Sequence, residues 1–483
     1  MSDMVTMGGQ WQIPNDTSLY NGELHFDKEK RVVVLEIIIS ASEQDPIPSF
    51  AHWGRIEYIN GTLFNGSKVL LYDCITGQGS QTVLSHTRQI VYASYALWGL
   101  SVDSREELVF RSAFVDFGDI LNWYGLCRYE NITEYKSETK EPSHTYRWRS
   151  DDPIEVKMEN GLNLTFLPRT QTYFGEIYGR DFSLEQTVLV NFEYAEEVPW
   201  ERIMSDIRKI QYLISLGIGR KVEVEKMKYS HRKIFHDIPN WTGDPLFAEA
   251  DVTIGTGEVT PTKKQPNYDF LFPFKMFLQL DHGVENWDKH YDKLKPILDL
   301  FFSLYGSVGS VETAFLSLTQ ALETYHARFI SNKTSEYEKR VQQLVSKYDS
   351  PIIKEQWQAF LLDEGQKKNK KLFLKSRLAD LYYAEGELPL RSNHITPADF
   401  IENITDSRNY YTHYGEDKKE KAYTPEELPL INSYLMCLLQ YHLMITIGFS
   451  PGFSKKQIAG KVGQISFNDE MKKLQKNKDK NEG

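Results

Sequence analysis

TIGTGEVTPTKKQPN, residues 253–267, separates two kinds of sequence. Its Gly, Thr, Pro and Lys residues set turns and interrupt regular elements, so the stretch marks a domain boundary. Before it, up to about residue 195, apolar and polar residues alternate at period two, as half-buried strands require. RVVVLEIIIS (31–40), VLLYDCI (69–75) and LEQTVLVNFEY (184–194) show the pattern best. Asn160-Gly161, between apolar runs 154–158 and 162–166, predicts a tight hairpin turn with both residues at positive φ. Pro199 then opens a predicted helix over 200–216, because Ile203, Ile207, Ile210 and Ile214 recur every three or four residues.

After the boundary the period changes. Val311, Phe315, Leu318, Leu322, Tyr325 and Phe329 form one helical stripe, and Ile431, Leu435, Leu438, His442 and Ile445 form another. Helices are also expected over 337–348, 350–362, 370–383 and 397–412. The fold class read from this is α+β and multidomain: a β-rich domain over 1–255, a sandwich or open barrel, then a linker over 256–268 and an all-α bundle over 269–467. Residues 468–483, rich in lysine and poor in apolar side chains, are expected to form a flexible charged tail.

The bulk properties agree with two packed domains. The chain has 483 residues, 41% hydrophobic and 25% charged, enough apolar material for more than one core. The opening MSDMVTMGGQWQIPND lacks the basic region and apolar run of a signal peptide, and no stretch reaches roughly 18 unbroken apolar residues. A cytoplasmic protein without membrane association is expected. Cys74, Cys127 and Cys437 lie far apart without metal-binding spacing, so neither a disulfide framework nor a metal site is expected. The net charge of −11 argues superficially against a nucleic-acid partner. Residues 268–483, however, carry 29 Lys and Arg against 29 Asp and Glu, leaving 27 against 38 for residues 1–267. The acidic excess therefore lies wholly in the first part.

The chain has no P-loop, no GxGxxG after a strand, no HExxH and no GxSxG, which removes the common nucleotide-hydrolysing, redox and serine-hydrolase readings. Glu196-Glu197 reads as solvated charge. What remains is DSRNYYTHYG, residues 406–415, at the end of a predicted helix that Gly415 is placed to terminate in a left-handed cap. It contains Arg408, Asn409 and, five residues after the arginine, His413. As bare spacing this is a weak signal.

The segment resembles the Arg-polar-x3-to-5-His motif of the HEPN superfamily, with Asn409 in the polar position. SVETAFLSLTQALETYH (310–326) resembles the long helix of the Apea-like HEPN family, and SRLADLYY (376–383) the helix after it. The strands before a Trp-led helix at Trp200 resemble the N-terminal domain of ApeA proteins. The resemblance covers most of the chain. It implies an anti-phage, abortive-infection endoribonuclease that needs no metal or other cofactor, with transfer RNA as the substrate class. It also implies a front domain that senses or regulates, with a phage-derived protein as a candidate trigger.

The residue chemistry fits that implication. RNA is cut by its own 2′-hydroxyl when one group moves protons and another stabilises the negative phosphorus centre. An imidazole near neutrality suits His413 to the first task, and a permanent planar charge suits Arg408 to the second. Asn409 would orient phosphate or ribose. Five residues correspond to about 140° around an ideal helix, so either the last turn distorts or a second copy contributes. HEPN domains pair motif helices across a two-fold axis, which implies a homodimer or higher homo-oligomer.

Around this core, Tyr410, Tyr411 and Tyr414 are candidates for stacking on bases, against the plainer reading of packing between helices. Lys370 and Lys371, in a basic run with Lys367, Lys368, Lys375 and Arg377, are candidates for the RNA backbone or simply a solvated face. Glu323 either reaches the cleft or rims the core. Arg408 has Asp406 and Glu402 as ordinary ion-pair candidates. His442 on its apolar stripe, and His231 and His236 in SHRKIFH, read as structural. Two rival functions stand beside the nuclease: a non-catalytic HEPN module that binds nucleotide or RNA for assembly, and a β-domain ligand binder. In the second, Trp53, Trp98 and Trp123 would form a sugar platform and the helices would only dimerise.

Overall fold

A computed structural model of the chain describes residues 4–14, 16–27, 30–40, 54–77, 80–82, 86–125, 129–135, 142–148, 152–158, 160–175, 181–236, 247–255, 270–304, 309–330, 333–347, 349–362, 372–384, 388, 390 and 396–482. It divides into two compact units, 1–211 with 222–264 and 212–221 with 265–483.

The first unit is built on antiparallel strands. β1 (Val5–Gln12), β2 (Tyr20–Asp27), β3 (Val32–Ser40), β4 (Arg55–Leu63), β5 (Lys68–Thr76), the short β6 (Ser80–Thr82) and β7 (His86–Trp98) come first. Six of them form a ring in the order β7-β3-β2-β1-β4-β5, closed by pairing of β5 with β7. Of the two expected architectures the barrel is the one formed, and it is closed rather than open. Alternation in β3 sends Val33, Leu35 and Ile37 inward while Ile38 stays 51% exposed. Trp11, Leu24, Ile59 and Leu71 join them in the apolar interior. The Trp11 ring lies so close to Gly61 that a Cβ there would collide with it.

Outward from β7 the sheet continues through β15 (Phe247–Ile254), β14 (Val224–Phe235), β8 (Val109–Phe117), β13 (Asp181–Pro199), β12 (Leu162–Gly175) and β11 (Ile154–Lys157). β9 (Tyr129–Tyr135) and β10 (Pro142–Trp148) pair separately. The β11–β12 hairpin forms where Asn160-Gly161 predicts it, but of these two residues only Gly161 has positive φ (+82°). Asn160 instead accepts the Leu162 N–H on its side chain, and Met158 N–H donates to Leu162 C=O. The connection is thus longer than a two-residue turn.

The predicted helix after Pro199 spans Trp200–Ile218. Trp200 is buried among Tyr95, Phe110 and Tyr229, with ring centroids 5.0–6.3 Å away. Each fully buried aliphatic side chain on its stripe, such as Ile203 or Ile214, contributes roughly 1.5–3 kcal/mol. The boundary read at residues 253–267 places this whole helix in the first domain. Residues 212–221 belong instead to the second unit, where Tyr212 donates to Asp299 and Gly217 C=O accepts from Leu271.

The second unit is helical. The stripe from Val311 lies on the helix Val311–Phe329, capped by Ser310, and the expected helices appear as Thr334–Val345, Pro351–Leu361, Leu374–Tyr382 and Pro397–His413. The helix Gly283–Ser303 carries Pro296 in its interior. At the centre is Leu428–Ile447, long and apolar enough to cross a membrane by composition, yet 72% buried within the unit as a core helix. The last helix, Pro451–Glu482, continues through the expected tail. Lys, Gln, Met and Leu are good helix formers, so a polar composition does not stop the helix.

Candidate active site

The motif lies on the helix Pro397–His413. Its start is set by Thr396, whose hydroxyl oxygen accepts the Asp399 N–H at 3.1 Å, and by Pro397 at the first position. Phe400, Ile401 and Ile404 anchor the helix in the core. Closer to the motif, Ser407 is fully buried. Its hydroxyl donates to Asn403 C=O at 2.6 Å and accepts the Tyr423 N–H at 2.8 Å. Tyr411 donates to Tyr423 C=O at 2.7 Å and packs its ring edge on Phe315. Ser407 and Tyr411 thus clamp both backbone groups of Tyr423, which ties the motif turn to the chain that follows it. This clamp escaped sequence reading, because a serine inside a helix carries no pattern of its own.

Arg408 and Asn409 are half-buried and His413 is exposed in the last turn. Arg408 faces Glu323 of the long helix, Nη2 to Oε2 3.7 Å, and its Nη1 donates to Asn409 Oδ1 at 3.4 Å. The alternative acids are engaged elsewhere: Asp406 with Lys418 at 3.1 Å and Glu402 with Lys375 at 2.7 Å. Glu323 therefore belongs to the site. Arg377 stands near it, and burial pulls its guanidinium below the ordinary value while the Glu323 charge opposes that shift. Among the described residues His413 has no hydrogen-bond partner.

The helix stays α-helical to His413, and Tyr414 ends it with φ +51°, donating its N–H to Tyr410 C=O. The left-handed cap is therefore Tyr414 and not Gly415, whose φ is −71°. Because the last turn is regular, Arg408 and His413 stay about 140° apart around the axis. Of the three tyrosines, Tyr411 is buried and committed to packing, so it offers no stacking surface. Tyr410 is half-buried, while Tyr414 is 64% exposed and lies edge-on to Tyr410 at 5.5 Å.

Other candidates are placed as follows. Lys367, Lys368, Lys370, Lys371, Trp53 and Cys127 lie outside the described residues. Lys375 is held by Glu402 and covers the Phe360 ring at 4.3 Å. Arg377, read as part of an exposed basic run, is buried and bonds Leu372 C=O, because its helix turns that side into the core. Trp123 is fully buried and Trp98 donates to Thr253 Oγ1, so neither forms an open sugar platform. His231 is buried against Glu107 C=O, and His442 is buried with Nε2 2.9 Å from Leu381 C=O. Among the described residues no His, Cys, Asp and Glu cluster is placed to hold a metal ion.

A helical bundle presenting Arg-Asn-x3-His at the exposed end of one helix is the architecture of an HEPN domain, and residues 316–453 match the family model described as Apea-like HEPN. Residues 7–287, more than half of the chain, match the model described as ApeA N-terminal domain 1. The chain belongs to the ApeA family. Comparisons with curated proteins and with solved structures found no match to the chain.

Proposed function

We propose that the chain is a cytoplasmic endoribonuclease of anti-phage defence that cuts transfer RNA without a metal, at a site completed by a second copy. One observation carries this reading: Arg408 and His413 occupy the exposed end of a regular helix in an HEPN domain, on bearings about 140° apart, so a single helix does not aim both at one phosphate unaided.

In the proposed reaction His413 takes the proton of a ribose 2′-hydroxyl, and the 2′-oxygen bonds to the adjacent phosphorus. The P–O5′ bond breaks, and O5′ takes its proton from solvent, to which the protonated His413 returns its own. The products are a 2′,3′-cyclic phosphate and a 5′-hydroxyl. Arg408 neutralises the phosphorane as charge builds, and Asn409 holds the Arg408 head in place. Proximity of the strand unit to phage components during infection would supply the trigger.

The test is cleavage of cellular RNA, with EDTA present and end groups analysed, by wild type, Arg408→Ala and His413→Ala in infected and uninfected cells. Each substitution is expected to lower cutting by at least about 100-fold. Mixing the two inactive variants is expected to restore about a quarter of wild-type activity, since half the dimers are mixed and each regains one intact site. RNA intact under all conditions would favour the binding-module function instead.

A further inference from the structure

The helical unit holds a second polar cluster away from the motif. Asp380, half-buried on the helix Leu374–Tyr382, accepts from His326 Nε2 at 2.8 Å and from Arg340 Nη2 at 2.6 Å, with Arg340 Nε 3.0 Å from both of its oxygens. Arg340 and His326 hold the carboxyl below the usual carboxylate range against the opposing effect of burial. The carboxylate is therefore already satisfied.

Beside it opens a cavity of about 400 Å³. Val341, Leu344, Leu361 and Tyr383 supply apolar walls, and Arg340, Asp380 and Lys347 supply the charges. With Asp380 offset by Arg340, the uncompensated charge is positive. It rests on Lys347, which is exposed and has no ion-pair partner among the described residues. A pocket with an apolar body and one cation at its mouth matches a small molecule with the complementary division.

We propose that this cavity binds a small amphipathic anion, its apolar or aromatic body against Leu344 and Tyr383 and its anionic group at Lys347 beside Arg340. The site is separate from the motif. It connects to the long helix only through Asp380, whose partner His326 follows Glu323 by three residues.

The probe is 8-anilinonaphthalene-1-sulfonate, titrated by fluorescence against the full-length chain, with the uncharged N-phenyl-1-naphthylamine in parallel. A saturable component is expected that Lys347→Glu weakens about tenfold or more, as loss and reversal of one charge-assisted contact implies. Leu344→Trp, which fills the hollow from its rim, is expected to remove that component, and the uncharged probe to bind at least about tenfold more weakly. Lys347 is exposed, so its substitution reports on binding even where Leu344→Trp fails to fold. Sulfonate binding unchanged by Lys347→Glu, or equal binding of the uncharged probe, would overturn the proposal.

Discussion

Arg408 and Glu323 face each other across two helices at 3.7 Å, with side chains 34% and 30% exposed. At that separation and exposure the pair is a screened contact worth roughly 0–1 kcal/mol. It competes with any phosphate for the same guanidinium. Glu323→Gln, made on a His413→Ala background so that RNA is not consumed, is expected to raise RNA affinity roughly two- to fivefold. Its melting temperature is expected to change little. Weaker binding in a salt-titrated filter assay would instead assign Glu323 the role of orienting Arg408.

Ser407 is the positioning residue most exposed to test. Ser407→Ala leaves the buried Tyr423 N–H without its acceptor, a cost of roughly 1–3 kcal/mol. Activity at temperatures well below melting is expected to fall through kcat rather than KM, because the motif turn shifts without losing a substrate contact. Ser407→Thr, which keeps the hydroxyl, should restore part of it. A drop in stability with kcat unchanged would show that the clamp is structural only.

Acid sensitivity should localise to His442. Burial pushes its imidazole down to about 4, from the ordinary 6.5. A histidine held neutral in the folded state contributes fully above pH 6.5, and its contribution is lost as pH falls toward 4, where the unfolded chain binds the extra proton. The shift corresponds to roughly 3 kcal/mol across that window. His442→Gln keeps a donor for Leu381 C=O and is expected to melt lower at pH 7 but with a flatter pH dependence between 6.5 and 4. Parallel melting curves for the two proteins would rule this out.

The barrel has one position where a single methyl group should be decisive. Gly61→Ala brings a Cβ into the Trp11 ring, which fills the closed interior and has nowhere to move. Such overpacking costs roughly 1–3 kcal/mol, and Trp11→Ala, which empties the centre, roughly 3–5 kcal/mol. Calorimetry of the full chain is expected to show the strand unit melting earlier in both. Unaltered melting of Gly61→Ala would mean the ring adjusts freely.

Sequence by itself determined the division into strands and helices, because period two in 31–40 and period 3.6 in 311–329 each follow from which face a backbone geometry buries. It also determined the motif, since Arg408, Asn409 and His413 are local in the chain. Only the tertiary structure decided that β5 returns to β7 and closes the barrel, that residues 212–221 belong with the helices, and that Arg408 meets Glu323 rather than Asp406 or Glu402. Each of these depends on residues far apart in the chain packing together, which local periodicity does not encode. Tyr411 shows the same limit: its neighbours in sequence mark it as one of three similar tyrosines, and only Phe315 and Tyr423, brought beside it by the fold, make it a buried strut.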